Sequence, residues 1–414
     1  MRRSPDTELS MKAVDSGLRK TTERLAGELA RPTLVAPDWC ESEWLLARAA
    51  AAMHGVSALL STTLRWHGPA GWTQFLQEQR AHTAARHRRI CDFLMTIDDR
   101  TRAAGVPAVA LKGPALHAIG LYEAGERPMA DIDFLVREPD LTRTESILAA
   151  LGFRQTYATW KDRTFELINF RPPGRFGENA ANDIKIELHA RVGDTLPLRA
   201  VDISDLVFPP DASPGLNGYP SKGALMTHLL LHAAGAMAFR ALRLLNLHDI
   251  ALLSTCMSSE DWNEITTRDG ASSRRFWWAF PPLAVTARYY TPIPSWVLAS
   301  LATQCPWLLR KTIAQKTLSD VSLSHLWMDA LPGIQWARSL DEIIEYAVHR
   351  ILPNAERLAA RELFAQTQPY LVNSAWARLS QRQRILRWLI SRPPRPATMY
   401  AVTEALAQLG MRVR

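Results

Sequence analysis

A chain of 414 residues, 47% hydrophobic and 22% charged, has the length for two or three domains and the composition of an ordinary globular protein. Its net charge of +8, carried by arginine far more than by lysine, favours anionic partners such as nucleotides or nucleic acid. The four scattered cysteines form no CxxC pair and no histidine cluster has zinc spacing, which argues against a disulfide framework or structural zinc and fits a reducing cytoplasm.

Residues 1–38 are polar, then proline-punctuated, and lack the apolar core of a signal peptide, so they read as a poorly ordered lead-in. Residues 39–104 carry apolar positions at three- and four-residue spacing and are predicted to be helical, with Gly105 as the C-terminal stop. Residues 105–215 alternate strand and helix signals. Val106–Leu111 reads as a short buried strand, and "PALHAIGLY" as a helix with Pro114 in its first turn. "ADIDFLV" is a second strand, and a helix runs from about Asp140 to Gly152. Phe165–Phe170 and "DIKIELHARV" complete the strands, around the loop "RPPGRFGENAAND".

Residues 216–414 are helical in pattern, with breaks near "YYTPIPSW", "DALPGIQW" and "ISRPPRPATM". The most apolar run, "ALMTHLLLHAAGAMAFRALRLLNL", is interrupted by His228, His232, Arg240 and Arg243, so a buried helix pair is expected and no membrane partner. The fold class is therefore a small mixed α/β core with flanking helices, embedded in a largely α-helical protein.

The chemistry concentrates in the second strand. Residues i and i+2 of a strand share a face, about 6–7 Å apart, so Asp131 and Asp133 converge while Ile132 and Phe134 turn towards a core. Two carboxylates that close raise each other's pKa unless a cation lies between them, and Mg²⁺ is commonly held by one or two carboxylates plus substrate phosphates. On "NDIKIELHA", Asp183, Lys185, Glu187 and His189 share one face. If this strand lies beside the first, Glu187 supplies a third carboxylate, with Asp183 as competitor for that role. Gly113 lets the backbone approach a phosphate closely at the start of a helix, and Lys112 and Arg127 are cations on either side. His189 is a candidate nucleotide contact or a structural histidine, and His228 with His232 a helix-seam pair. Asp249 in "NLHDIALL" is placed either to orient a basic residue or to cap a buried turn. The runs "RHRR" and "SRRFWW" read as solvated faces beside packed seams in preference to single-strand binders.

A glycine turn, then D-x-D on the next strand, then a carboxylate on a later strand resembles the DNA polymerase β-type nucleotidyltransferase superfamily. More narrowly, "LKG-x-AL", "LY" and "RPMADIDFLV" resemble the uncharacterised nucleotidyltransferase family whose genes often sit in peptide-antibiotic clusters, including lasso peptides. The resemblance covers about residues 40–255. It implies Mg²⁺-dependent transfer of an NMP from an NTP, with two metal ions held by Asp131, Asp133 and Glu187, and with Lys112, Gly113, Arg127 and His189 around the nucleotide. Pro114 departs from the superfamily's turn, because it has no N–H to offer a phosphate. The expected acceptor is a peptide or a small molecule, as in peptide tailoring. The alternatives are a toxin-type enzyme acting on RNA or tRNA, and a catalytically silent NTP-sensing scaffold.

Overall fold

A computed structural model of the chain describes residues 8–169, 176–266, 276–372, 374–407 and 411–413. Strand β1 (Glu8–Leu9) leads into helix α1 (Met11–Ala30), where the Ser10 side chain accepts the Ala13 N–H as an N-cap. The expectation of a poorly ordered lead-in over residues 1–38 differs from the structure at Met11–Ala30, which is helical; residues 1–7 lie outside the described residues. Val14, Leu18, Leu25 and Leu29 recur on one face among charged residues and are buried. Helices α2 (Glu41–Met53), α3 (Ser57–Thr63) and the long α4 (Ala70–Ala103) follow. No single helix among the described residues is long and apolar enough to cross a membrane; the bent pair α2–α3 passes on length and composition, but Leu45, Leu46, Leu59 and Leu60 are buried.

The sheet begins at β2 (Pro107–Ala110), which leads through the short α5 (Gly113–Ala118) to β3 (Asp131–Val136). After α6 (Leu141–Ala150) come β4 (Phe153–Ala158), β5 (Asp162–Leu167) and β6 (Lys185–His189). A hairpin of β7 (Gly193–Thr195) and β8 (Ala200–Asp202), the short α7 (Ser204–Val207) and β9 (Gly215–Asn217) precede the helical half. The six-stranded sheet runs β4-β5-β6-β3-β2-β9 and is mixed: β3 pairs parallel with β6 and antiparallel with β2, and β2 pairs parallel with β9. Two of these strands, β4 and β9, were not expected from the sequence. The strand expected at Phe165–Phe170 lies earlier, at Asp162–Leu167, and Phe170 falls outside the described residues.

One face of the sheet carries Ile132, Phe134, Val136, Ile186 and Leu188, packed with Ile90 and Ile97 of α4 and Leu148 of α6. The other face meets α8 (Lys222–Ala238) and α9 (Leu244–Thr255), whose leucines and alanines form the largest core with Val109 and Leu135. After α10 (Ser259–Thr266), the expected breaks separate Phe280–Tyr289 from Ser295–Gln304, precede Leu340–Ile351, and separate Gln381–Ile390 from Pro396–Ala407, whereas the breaks on either side of Ala355–Thr367 were not expected. Strand β10 (Arg412–Val413) returns to pair in parallel with β1.

Candidate active site

The D-x-D strand supplies its carboxylates because the two-residue period sends Ile132 and Phe134 into one core and Asp131 and Asp133 to the opposite face. The parallel register sets Asp133 opposite Glu187, Asp131 opposite Lys185 and Leu135 opposite His189. The compact group among the described residues is Asp133, Glu187 and His189, with one ligand-type atom from each within 4.8 Å of the others. Asp131 lies outside that group but shares with Asp133 the lining of a cavity of about 440 Å³, roofed by α8 and the start of α9. Lys185 is turned to Glu166 on the neighbouring strand.

Asp133 is buried and its Oδ1 accepts from two donors, Lys112 Nζ at 3.1 Å and His189 Nε2 at 2.9 Å. Burial alone would raise its pKa, but the Lys112 ammonium and the His189 hydrogen bond hold it well below the usual carboxylate range. Asp131 goes the other way. Burial, then the charges of Asp133 and Glu187, push it up to about 7, against the pull of Lys112 and Arg243. A divalent cation relieves that excess of negative charge, and carboxylate oxygens are the donors that hard cations prefer, so this residue set fits one. His189 sits behind Asp133, buried, with its Nε2 also 3.7 Å from Glu187 Oε2.

Lys112 reaches Asp133 from a backbone conformation (φ 52°, ψ −110°) that L-residues rarely adopt, a cost of about 1–3 kcal/mol. Its N–H donates to Tyr219 Oη, and that hydroxyl lies 2.7 Å from His228 Nδ1. His228 is kept neutral by burial and by the nearby ammonium, so the expected helix-seam histidine ends a hydrogen-bonded chain leading to the Lys112 turn. Gly113 is required for close approach: a Cβ there would lie 2.7 Å from Arg127 Nη1 and 2.9 Å from Met129. Helix α5 has only six residues, so phosphate-facing charge in this cavity comes from side chains more than from a helix dipole.

Arg127 lines the cavity, but its guanidinium is bidentate with Asp249, at 2.9 and 2.8 Å, and both are buried. Tyr122 Oη donates to the same carboxylate at 2.6 Å. The first of the two readings of Asp249, that it orients a basic residue, is the one the structure shows. Arg86 and Arg89 of "RHRR" are not solvated: they donate to main-chain carbonyls of residues 129, 130, 180 and 182. Of "SRRFWW", residues 273–275 lie outside the described residues, and Phe276, Trp277 and Trp278 are buried.

Sequence reasoning missed Arg243, exposed at the mouth of the cavity at the N-cap of α9, where the Asn246 side chain accepts its N–H. It also missed Tyr219 and Asp194. The signal that could have pointed to Arg243 is its charge inside the apolar run, just before "LLNLHD".

A family model described as an uncharacterised nucleotidyltransferase matches residues 41–275, more than half of the chain. No curated protein and no solved structure matches the chain.

Proposed function

Since the chain belongs to this uncharacterised nucleotidyltransferase family, we propose that it moves an NMP from an NTP onto an acceptor oxygen of a peptide or small molecule, with Mg²⁺ as cofactor. The observation that carries this reading is Asp133 facing Glu187 across the β3–β6 pair, with Asp131 on the same face of a cavity that also holds Lys112 and Arg243. Asp131, Asp133 and Glu187 would hold two metal ions. Bound there, the ions supply charge neutralisation of the triphosphate and stabilisation of the leaving pyrophosphate.

The remaining work falls to the chain's own residues. His189 fixes the orientation of Asp133 through the bond at 2.9 Å. Lys112 and Arg243 attract the triphosphate into the cavity, and Arg127, held by Asp249, forms the wall against Gly113. Asp133 is engaged by two donors, whereas the Glu187 side chain is 31% exposed. Glu187 is therefore the group that takes the acceptor's proton as the acceptor oxygen bonds to the α-phosphorus and the α–β bridge breaks. Peptide tailoring is the use this chemistry serves best.

The test is transfer of an α-³²P label from each of four NTPs with Mg²⁺, supplying peptide, small-molecule and RNA fractions as acceptors. An Asp131→Asn, Asp133→Asn double variant should lose at least about 100-fold of the transfer rate, since charge-stabilising groups of this kind contribute about that much each. Transfer that survives the double substitution overturns the site. NTP binding without transfer to any fraction would favour a sensing scaffold.

A further inference from the structure

A second cavity of about 510 Å³ lies in the C-terminal helices and shares Phe239 with the carboxylate cavity; Asp194 lines one and the adjacent Thr195 the other. Four arginines from three helices line it: Arg350, Arg357, Arg361 and Arg384. No Asp or Glu lines it among the described residues. Glu362, which neighbours Arg361 in the chain, is not in the wall.

Such a cluster is costly unless something anionic fills it. Arg384 is 7% exposed and donates from Nη2 to the Ala377 carbonyl, while its Nε is buried without a partner. Burial and then the charges of Arg361 and Arg350 lower its pKa to about 10, a guanidinium under repulsion. The two tryptophans of the groove do not offer free faces. Arg350 lies over Trp388 and Arg384 over Trp376, each 5.6 Å from the ring, and the rings pack on each other at 5.7 Å. Those stacks hold the guanidinium planes in place and leave little aromatic surface for a nucleobase. Arg350 Nε donates to the Ala330 carbonyl and Arg361 Nη1 to Gln381 Oε1, which leaves the other N–H groups of this guanidinium cluster for a compact oxyanion, phosphate above all.

We propose that this groove binds a phosphomonoester carried by the acceptor, so that the acceptor is a phosphorylated residue of a peptide or a phosphorylated small molecule. The proposal rests on the nucleotidyl-transfer reading for its role and on the arginine cluster for its location. Its chemistry adds no step: the acceptor's oxygen bonds to the α-phosphorus, pyrophosphate leaves and the proton passes to Glu187. The groove only anchors.

The experiment follows tryptophan fluorescence of the full chain without NTP, because Trp376 and Trp388 line the groove. The probes are inorganic phosphate, a phosphoserine hexapeptide and its serine counterpart, glucose 1-phosphate with glucose, and oligouridylate. The phosphorylated probes should bind at least about tenfold more tightly than their unphosphorylated counterparts, and the preference between hexapeptide and sugar identifies the source. An Arg357→Gln, Arg361→Gln variant, chosen because Arg357 is exposed and Arg361 is half-buried with a bond to the Gln381 side chain, should lose that preference while keeping its circular dichroism spectrum and Mg²⁺-dependent NTP binding. Asp133→Asn should do the reverse, losing NTP binding and keeping phosphoserine binding. Equal binding of phosphorylated and plain probes, a preference untouched by the double arginine variant, or tighter binding of oligouridylate would each overturn the proposal. NTP binding that survives Asp133→Asn would overturn the transferase site and leave the groove standing.

Discussion

Asp249 offers both carboxylate oxygens to Arg127 and one of them also to Tyr122, all deep in the core. Removing one charge of a buried pair strands the other, so Asp249→Asn should destabilise the protein by about 3–5 kcal/mol in urea unfolding. Tyr122→Phe should cost nearer 1 kcal/mol, about one hydrogen bond. A loss under 1 kcal/mol for Asp249→Asn would show that Arg127 finds water or another partner. Asp131 makes a prediction of opposite kind. Its pKa of about 7 exceeds the ordinary Asp value, so without a cation it favours the folded chain at acid pH and loses that contribution as pH rises through 7. A cation needs the deprotonated carboxylate, so Mn²⁺ affinity by calorimetry should rise about tenfold between pH 6 and pH 8, and Asp131→Asn should flatten the rise. The pairing of two aspartates on one strand face was legible from the alternation of seven residues. Asp249 as the partner of Arg127 was not, because 122 residues separate them and only helix packing brings them together. Arg243 and Tyr219 were hidden for the same reason.

Helix α4 reaches the lead-ins of both carboxylate strands through Arg86, with Arg89 beside it on the lead-in to β6. Arg86 is buried and donates to the carbonyls of Met129 and Ala130, before β3, and of Asn182, before β6. It thereby ties together the lead-ins of both carboxylate strands. Arg86→Met should leave far-ultraviolet circular dichroism intact, lower stability by about 2–4 kcal/mol and reduce transfer more than tenfold. Unchanged transfer in a destabilised Arg86→Met protein would show that sheet pairing alone sets the register. The helices after residue 220 were legible at their proline breaks, and the central strands in their apolar runs. Strand β4 was not, since "FRQTYA" at the sheet's edge has no buried alternation to read. Strand β9 has three residues and pairs only because β2 leaves an open edge. Helix α1 was missed because its apolar positions are spaced among charges and gain meaning only against α2.

The molecule is held at its largest scale by contacts between its beginning and its later helices. Glu23 of α1 accepts from Ser319 and Tyr289, Arg19 pairs with Asp320, and Thr22, His54 and Ser324 share a buried hydrogen-bonded cluster. Burying four large aliphatic side chains of α1 contributes on the order of 5–10 kcal/mol, comparable with the stability of a whole domain. A chain lacking residues 1–31 should therefore aggregate or melt at least about 10 °C lower by calorimetry. A truncated chain with an unchanged melting temperature would mean that α2 is covered in another way. His54 adds a pH term. It accepts the Leu244 N–H at Nδ1, and burial followed by the charge of Arg243 depresses its pKa to about 3. The stability it protects is complete above about pH 6.5 and is lost as the pH falls towards 3, by about 1.4 kcal/mol per unit. His54→Asn should remove that part of the acid slope.

Strand β1 pairs with β10, and α1 packs in one cluster with Val402, Ala405 and Leu406. Translation delivers Glu8 long before Arg412, so this seam has no second half while most of the chain is being made. Until then Val14 and Leu18 must stay uncovered or be sheltered by another protein. Synthesis runs from the amino end, but this closure waits for Pro396–Ala407, a helix made late that completes the shelter of one made early.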